Sequence, residues 1–187
     1  MANTKANVSA GKPKIGGAVW RAPLGTACPT NASTSLGGSF VCLGYVSEDG
    51  VTHTQEISSE SVKAWGGDTV LAPQTGKEDR FKAKFIEIMN IEVLKTIFGN
   101  SNVTGSSLSG GISISANSKE LDESVYVFEM ELSGGVKKRI VIPDGKITEI
   151  GDTEYKDNDA VGYEATITAL PDASENTHYE YLVKSST

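Results

Sequence analysis

The chain has 187 residues, of which 38% are hydrophobic and 22% are charged, and its formal net charge is −7. This length fits a single domain, the composition excludes a chain that is disordered throughout, and no apolar run approaches the roughly 18 residues that cross a bilayer. The N-terminal region has no apolar stretch typical of a secretion signal, and an acidic body disfavours tight DNA binding, which depends on Lys and Arg to neutralise phosphates.

Residues 1–16 are predicted to form a flexible basic N-terminal arm, because they are small and polar and have no apolar periodicity. The first 47 residues contain no Asp or Glu and carry +4, whereas the rest of the chain carries −11. A basic arm on an acidic body favours contact between copies of the chain, and the same charge pattern is equally compatible with a solvated tail. Lys5, Lys12 and Lys14 are the candidate arm contacts, and residues 17–187 are predicted to form one domain.

Residues 51–78 are predicted to form a long loop or hairpin that projects from the body, because few of them are suited to filling a core. Gly66 and Gly67 permit the positive φ that a tight reversal needs. Trp65 lies beside this turn, where a large aromatic side chain either contacts a partner or folds back onto its own domain. We take Trp65, Gly66, Gly67 and Asp68 as a candidate interface.

The next segment predicts a strand followed by a helix. Alternation over residues 80–88 places Phe81, Ala83 and Phe85 on one face of the strand. Residues 90–99 then have an Asn at the N-cap position and a Gly at the C-terminal end, which are typical of a short helix. Its predicted packing face consists of Ile91, Leu94, Ile97 and Phe98.

The second half of the sequence contains short β-favouring runs that are separated by turn residues. Residues 133–135 are predicted to close one hairpin, and residues 143–145, with the sequence PDG, are predicted to turn the chain again. Closely spaced short strands predict a mainly β fold, an antiparallel β-sandwich or barrel, with one short flanking α-helix.

No sequence motif indicates catalysis, and we expect neither enzymatic activity nor a cofactor. The acidic run over residues 152–159 lacks the glycine and the closing glutamate of a calcium loop. His53 and His178 do not form a metal-ligand pattern with Cys28 and Cys42 by spacing, so no metal site is expected, and two cysteines in a chain of this length suit a reduced compartment. Glycoside chemistry needs two acids that converge from neighbouring strands, and no feature of the sequence selects such a pair.

Several segments, in order, resemble the major tail protein, or tail tube protein, of long-tailed, non-contractile bacteriophages (siphophages). They are GGAVWRAPLGTACPTN, FVCLGYVSEDGVTHTQE, VKAWGGD, FKAKFIEIMNIEVLKTIFG and VIPDGKITEIGDTEYKDNDAVGYEATITALPDA. Together they extend over roughly residues 16–181, which is nearly the whole chain.

This resemblance implies a β-sandwich that assembles as a hexameric ring, and rings that stack into a tube for DNA ejection. The arm and the loop around Trp65 would then contact the adjacent ring. The implied partners are further copies of the chain, the tape measure protein, the tail terminator and the distal tail proteins, while DNA passes through the lumen without specific binding. The implied location is the virion, after synthesis in the host cytoplasm, with no membrane association.

Two other functions fit a β-sandwich of this kind. A carbohydrate-binding or adhesion module usually presents an exposed aromatic platform, for which this chain offers only Trp20 and Trp65. A tube component of a related injection or secretion apparatus would share the architecture. Concentration-dependent assembly distinguishes a structural role from a binding module.

Overall fold

The computed structural model describes residues 3–184, and their secondary structure is mainly β. The strands are β1 (Lys12–Pro13), β2 (Val19–Pro23), β3 (Val41–Cys42), β4 (Val46–Ser59), β5 (Val62–Lys63), β6 (Thr69–Leu71), β7 (Gln74–Phe85), β8 (Val103–Thr104), β9 (Ser113–Ile114), β10 (Ser124–Leu132), β11 (Val136–Ile150), β12 (Tyr163–Ala169) and β13 (Tyr179–Lys184). The α-helix in this part of the chain is α1 (Ile91–Phe98), and short 3-10 helices occur at Lys5–Asn7, Asn100–Asn102 and Leu108–Gly110. The prediction of a mainly β protein with one short α-helix is therefore confirmed. Within residues 3–184, no helix has the length and apolar character needed to cross a membrane.

Nine of the strands form one antiparallel sheet. Its main order is β3-β2-β10-β11-β12-β7-β4, with β1 also paired to β10 and β13 also paired to β11. The end strands β3 and β4 do not pair with each other in the described part of the chain. The sheet therefore remains open, and the barrel alternative predicted from the sequence is wrong for this chain.

Strand β11 corrects the predicted turn at residues 143–145, because the chain continues through them as one strand. The first half of β11 pairs with β10 and β13, and its second half pairs with β12. The change of partner occurs at Gly145, which lies opposite both Ser124 of β10 and Ala169 of β12. One strand thus connects two halves of the sheet.

Gly145 is needed for close packing rather than for a chain reversal. A Cβ atom at this position would lie 2.7 Å from a ring carbon of Tyr126 and 3.0 Å from Cγ2 of Ile167. Both neighbouring side chains are buried. The glycine in the PDG sequence therefore allows β10 and β12 side chains to close over the backbone of β11.

The two halves of the sheet pack face to face around the main core. The Phe81 ring of β7 stacks on the Phe128 ring of β10, with the ring centroids 5.6 Å apart. Ala83 and Phe85, which the alternation places on the same face of β7, are also buried. The rest of this core includes Val19, Leu43, Val93, Leu94, Ile97, Tyr126, Ile140, Ile142 and Ile167.

The helix begins and ends where its capping residues predict. The Asn90 side chain accepts a hydrogen bond from the backbone N–H of Glu92 at 3.0 Å, which satisfies one of the free donors of the first turn. At the other end, Gly99 adopts a φ of 96°, a conformation that favours glycine. Because eight residues form a marginal helix on their own, packing against the sheet is needed to stabilise it.

We predict that Gly145→Ala lowers the free energy of unfolding by about 1–3 kcal/mol, because the added methyl group has no space beside Tyr126 and Ile167. Gly38→Ala is the matched control, since a Cβ at Gly38 would meet no atom within 4 Å. Urea unfolding measures both variants. Equal stability of the two variants would contradict a close approach at Gly145.

Candidate assembly surfaces

Strands β4 and β7 form the base of a long antiparallel hairpin that leaves the body of the protein. Their register runs from Val46 opposite Phe85 to Ser59 opposite Gln74, with irregularities near both ends. The shorter pair β5 and β6 extends the hairpin toward its tip. Every residue from 54 to 75 is exposed, so this outer half of the hairpin is not covered by its own domain.

The tip of the hairpin contains the candidate interface residues 65–68. Gly66 and Gly67 have φ values of 114° and 102°, as the tight reversal requires. The backbone N–H of Ala64 donates to the carbonyl of Asp68 at 2.8 Å and closes the turn. Trp65 is 107% exposed, so its side chain does not fold back onto the domain.

Apolar side chains continue along the hairpin behind Trp65. Val62 and Leu71 lie opposite each other in the register of β5 and β6, and both are exposed. Ile57 and Val70 are also exposed. Soluble proteins seldom expose a group of large apolar side chains, and such a group marks an interaction surface. We call these four residues together with Trp65 the hairpin patch. It extends over both faces of the ribbon, because the consecutive strand residues Val70 and Leu71 point to opposite faces.

The N-terminal arm, as far as the structure describes it, lies along the edge of β10. Lys12 and Pro13 pair with Glu131 and Met130, on the edge of β10 that also pairs with β2 and beyond Val19, the first residue of β2. The backbone N–H of Lys14 then donates to the carbonyl of Glu129 at 3.1 Å. The arm therefore contacts its own domain through residues 12–14.

A buried ion pair fixes this end of the arm. Glu129 is almost fully buried, and Nε of Arg139 donates to its Oε1 at 3.0 Å. The remaining Arg139 donors reach the carbonyls of Asn31 at 2.7 Å and Thr34 at 2.8 Å, in the loop between β2 and β3. Lys14 Nζ lies 2.6 Å from Glu129 Oε2. The candidate arm contact Lys14 is thus engaged within its own chain.

Lys5 and Lys12, the other two candidate arm contacts, are both exposed. Lys12 lies opposite Glu131 in the strand register, whereas Lys5 belongs to the short 3-10 helix that precedes β1. Neither side chain is buried in the domain. They remain candidates for contact with another copy.

The outer face of β7 carries charges that are neutralised on the same surface. Arg80 lies 2.6 Å from Glu78 and 3.2 Å from Glu56, and Lys82 lies 2.8 Å from Glu164. The hydrogen bond and charge of Glu78 raise the pKa of Arg80, and those of Glu164 raise the pKa of Lys82. This face is polar, and two of its cations, Arg80 and Lys82, are paired with carboxylates. Lys84, the third cation of the face, has no carboxylate within 4.0 Å in the part of the chain that the structure describes.

In the structure, two of the four residues of the predicted packing face of the helix are buried and two are half-buried. Leu94 and Ile97 are buried in the main core, whereas Ile91 and Phe98 are half-buried and lie against its edge. Val93 and Thr96 are also buried, although the apolar spacing did not select them. Thr96 was missed because its role is polar: its Oγ1 accepts a hydrogen bond from Arg21 Nη1 at 2.8 Å.

Cys28 and Cys42 are free and half-buried.

A family model described as "Phage tail tube protein" matches residues 1–187, the whole chain. A search of curated proteins returns no match. The family match includes all the segments on which the sequence resemblance depends.

We predict that Trp65→Ala changes the free energy of unfolding of the isolated chain by less than about 0.5 kcal/mol, because the side chain is fully exposed. Trp20→Ala is the comparison. Trp20 is half-buried against a second buried group, which includes Phe40, Val125 and Val141, and it donates from Nε1 to the Gly17 carbonyl at 3.2 Å. Its loss should therefore cost at least about 2 kcal/mol. Chemical denaturation followed by circular dichroism measures both, and a large loss in Trp65→Ala would show that Trp65 supports the monomer.

Proposed function

Because the chain belongs to the phage tail tube protein family, we propose that six copies form a ring and that the rings stack into the tail tube of a long-tailed, non-contractile phage. Membership of this family supports a structural role in a tail tube, so the protein is a component of the virion. In the proposed assembly, DNA leaves the virion through the lumen. The observation that carries the proposal is the exposed outer half of the β4–β7 hairpin.

The exposed hairpin needs a partner surface. A two-stranded ribbon without packing against other elements is marginally stable in water, and every residue from 54 to 75 is exposed. The hairpin patch also exposes apolar area that a second copy would cover. We therefore propose that residues 65–68 contact the adjacent ring, with Trp65 as the central side chain of that contact.

The open sheet supports closure between subunits. Strands β3 and β4 lie at the two ends of the sheet order and, within residues 3–184, do not pair with each other. Unpaired strand edges are sites where further strands add. In the proposed ring, edges of neighbouring subunits come together, so that six open sheets make one continuous wall.

The polar outer face of β7 is suited to the inner surface of this wall. A conduit for DNA must not retain phosphates, and free Lys and Arg side chains are the groups that bind them. On this face, two of the three cations, Arg80 and Lys82, are paired with carboxylates, which leaves Lys84 as the one cation free to attract a phosphate among the described residues of the strand. We propose that it faces the lumen, where it allows DNA to pass without specific binding.

The remaining contacts are assigned by the same proposal. Lys5 and Lys12 are exposed on the arm and would contact acidic groups of a neighbouring copy. The tape measure protein would occupy the lumen before ejection, and the tail terminator and the distal tail proteins would bind the ends of the tube.

A carbohydrate-binding module is less well supported, because Trp20 packs on its own core and leaves Trp65 without a second exposed tryptophan.

We predict that the wild-type chain forms six-fold rings or hollow tubes as its concentration rises, and that Trp65→Ala raises the concentration required by at least about tenfold, as expected for loss of a central interface aromatic. Sedimentation velocity and negative-stain electron microscopy measure assembly. Tyr155→Ala is the matched control, because Tyr155 is an exposed aromatic residue outside the hairpin, and it should assemble like the wild type.

A chain that stays monomeric at every concentration, even after addition of a preformed tail tip complex, would contradict the proposal. Glycan binding by such a monomer would establish the binding-module alternative. If tubes form equally well with Trp65→Ala, the tube assignment stands and the role of Trp65 is wrong. A reconstruction of the tube identifies the face that lines the lumen.

A further inference from the structure

The fold brings together the chain's two histidines, which are far apart in the sequence. His53 belongs to β4, and His178 immediately precedes β13. Their ring centroids are 4.8 Å apart and the rings are nearly perpendicular, at 79°. One nitrogen of each ring and a carboxylate oxygen of Glu180 in β13 all lie within 4.8 Å of one another. Three potential metal ligands from two distant segments therefore converge at one place.

We propose that His53, His178 and Glu180 bind a divalent transition metal ion, with Zn²⁺ as the best fit. Two imidazoles and one carboxylate are a donor set that suits zinc, and they leave a fourth position for water. Ligand atoms around a tetrahedral zinc lie roughly 3.3 Å apart, so the three groups must move inward by about 1 Å. The Glu180 side chain is 34% exposed and has the freedom to rotate.

A buried carboxylate supports the two imidazole rings, directly for His53 and through Thr177 for His178. Asp79 is fully buried, with Oδ1 at 3.2 Å from His53 Nε2 and Oδ2 at 3.7 Å from His178 Nδ1. Thr177 donates to the same carboxylate at 2.5 Å. Histidines that bind metal commonly have such a carboxylate behind them, which orients the ring and strengthens it as a ligand. Thr177 Oγ1 also lies 3.3 Å from His178 Nδ1, so Asp79 orients the His53 ring directly and the His178 ring through Thr177.

The charges and the access around the cluster are compatible with a metal ion. Lys77 Nζ lies 3.2 Å from Asp79 Oδ2, and Lys138 Nζ lies 2.9 Å from Glu180 Oε2. Metal binding would displace Lys138 from Glu180, and this partly exposed side chain can return to solvent. Glu180 is exposed, so an ion can reach it from solvent, and an open cleft of about 590 Å³ borders His178 together with Lys77 and Thr177.

A metal ion at this place would add a second connection between parts of the fold that Asp79 already joins through Thr177. His53 lies at the base of the exposed hairpin, and Glu180 belongs to the strand that pairs with the first half of β11. Because an ion that binds the folded state alone stabilises it by mass action, metal binding should raise the unfolding temperature. This inference concerns the isolated chain and does not depend on tube assembly.

The test uses the untagged full chain, freed of metal with a chelator and dialysed. We expect Zn²⁺ at a hundredfold excess over its dissociation constant to raise the unfolding midpoint by about 5–10 °C. Stoichiometric Co²⁺ should produce the visible absorption of a four- or five-coordinate site. His178→Gln and Glu180→Gln should each weaken Zn²⁺ binding by at least about tenfold, measured by calorimetric titration.

Glu164→Gln is the matched control, because Glu164 is likewise a strand glutamate paired with a lysine, Lys82, and it should bind Zn²⁺ like the wild type. If His53→Gln fails to fold, through loss of its stacking on Phe81 at 4.1 Å, the His178 and Glu180 variants decide the question. Absence of a Zn²⁺-dependent shift in the wild type, or an undiminished shift in His178→Gln, would overturn the inference. Either result leaves the tube proposal unaffected.

Discussion

Strand β11 is shared by both halves of the sheet, and the rest of the domain is built around this sharing. Its first half pairs with β10 and β13, its second half pairs with β12, and Gly145 lies opposite both β10 and β12. Because the neighbours of Gly145 approach too closely for a side chain, the two halves meet without a gap. Phe81 can then stack on Phe128, and the helix packs against the main core, to which both rings belong.

The core is complete without the outer half of the hairpin, whose residues are exposed in the single chain. Within one subunit, the base of the hairpin contributes Phe81 and Phe85 to the core, whereas its outer half is exposed throughout residues 54–75. Burial of the hairpin patch between subunits would recover hydrophobic stabilisation that the isolated domain does not obtain. In our account, the rings stack because the apolar side chains of the body are buried within the subunit, whereas those of the outer hairpin are exposed until another copy covers them.

Local patterns in the sequence predict local structure, and the failures arise where distant segments meet. Alternation placed Phe81 correctly, and Asn90 and Gly99 located the helix, because capping and periodicity act over a few residues. The turn predicted at the PDG sequence is wrong, because a glycine is suited both to a chain reversal and to close packing of neighbouring side chains on the backbone. The neighbouring positions of His53 and His178 depend on the tertiary arrangement of β4 and β13, which no spacing rule conveys. The candidate tip at residues 65–68 was recognised from Gly66 and Gly67, but the exposure of Trp65 required the structure.

The central claim is that the outer half of the hairpin is covered by another copy of the chain, and amide hydrogen exchange tests it most directly. The isolated chain and the assembled tube are compared peptide by peptide under the same conditions, with the core strands β10 and β12 as internal references. The account predicts that residues 54–75 exchange rapidly in the monomer and become strongly protected in the tube. Equal exchange of this segment in the two states would contradict it.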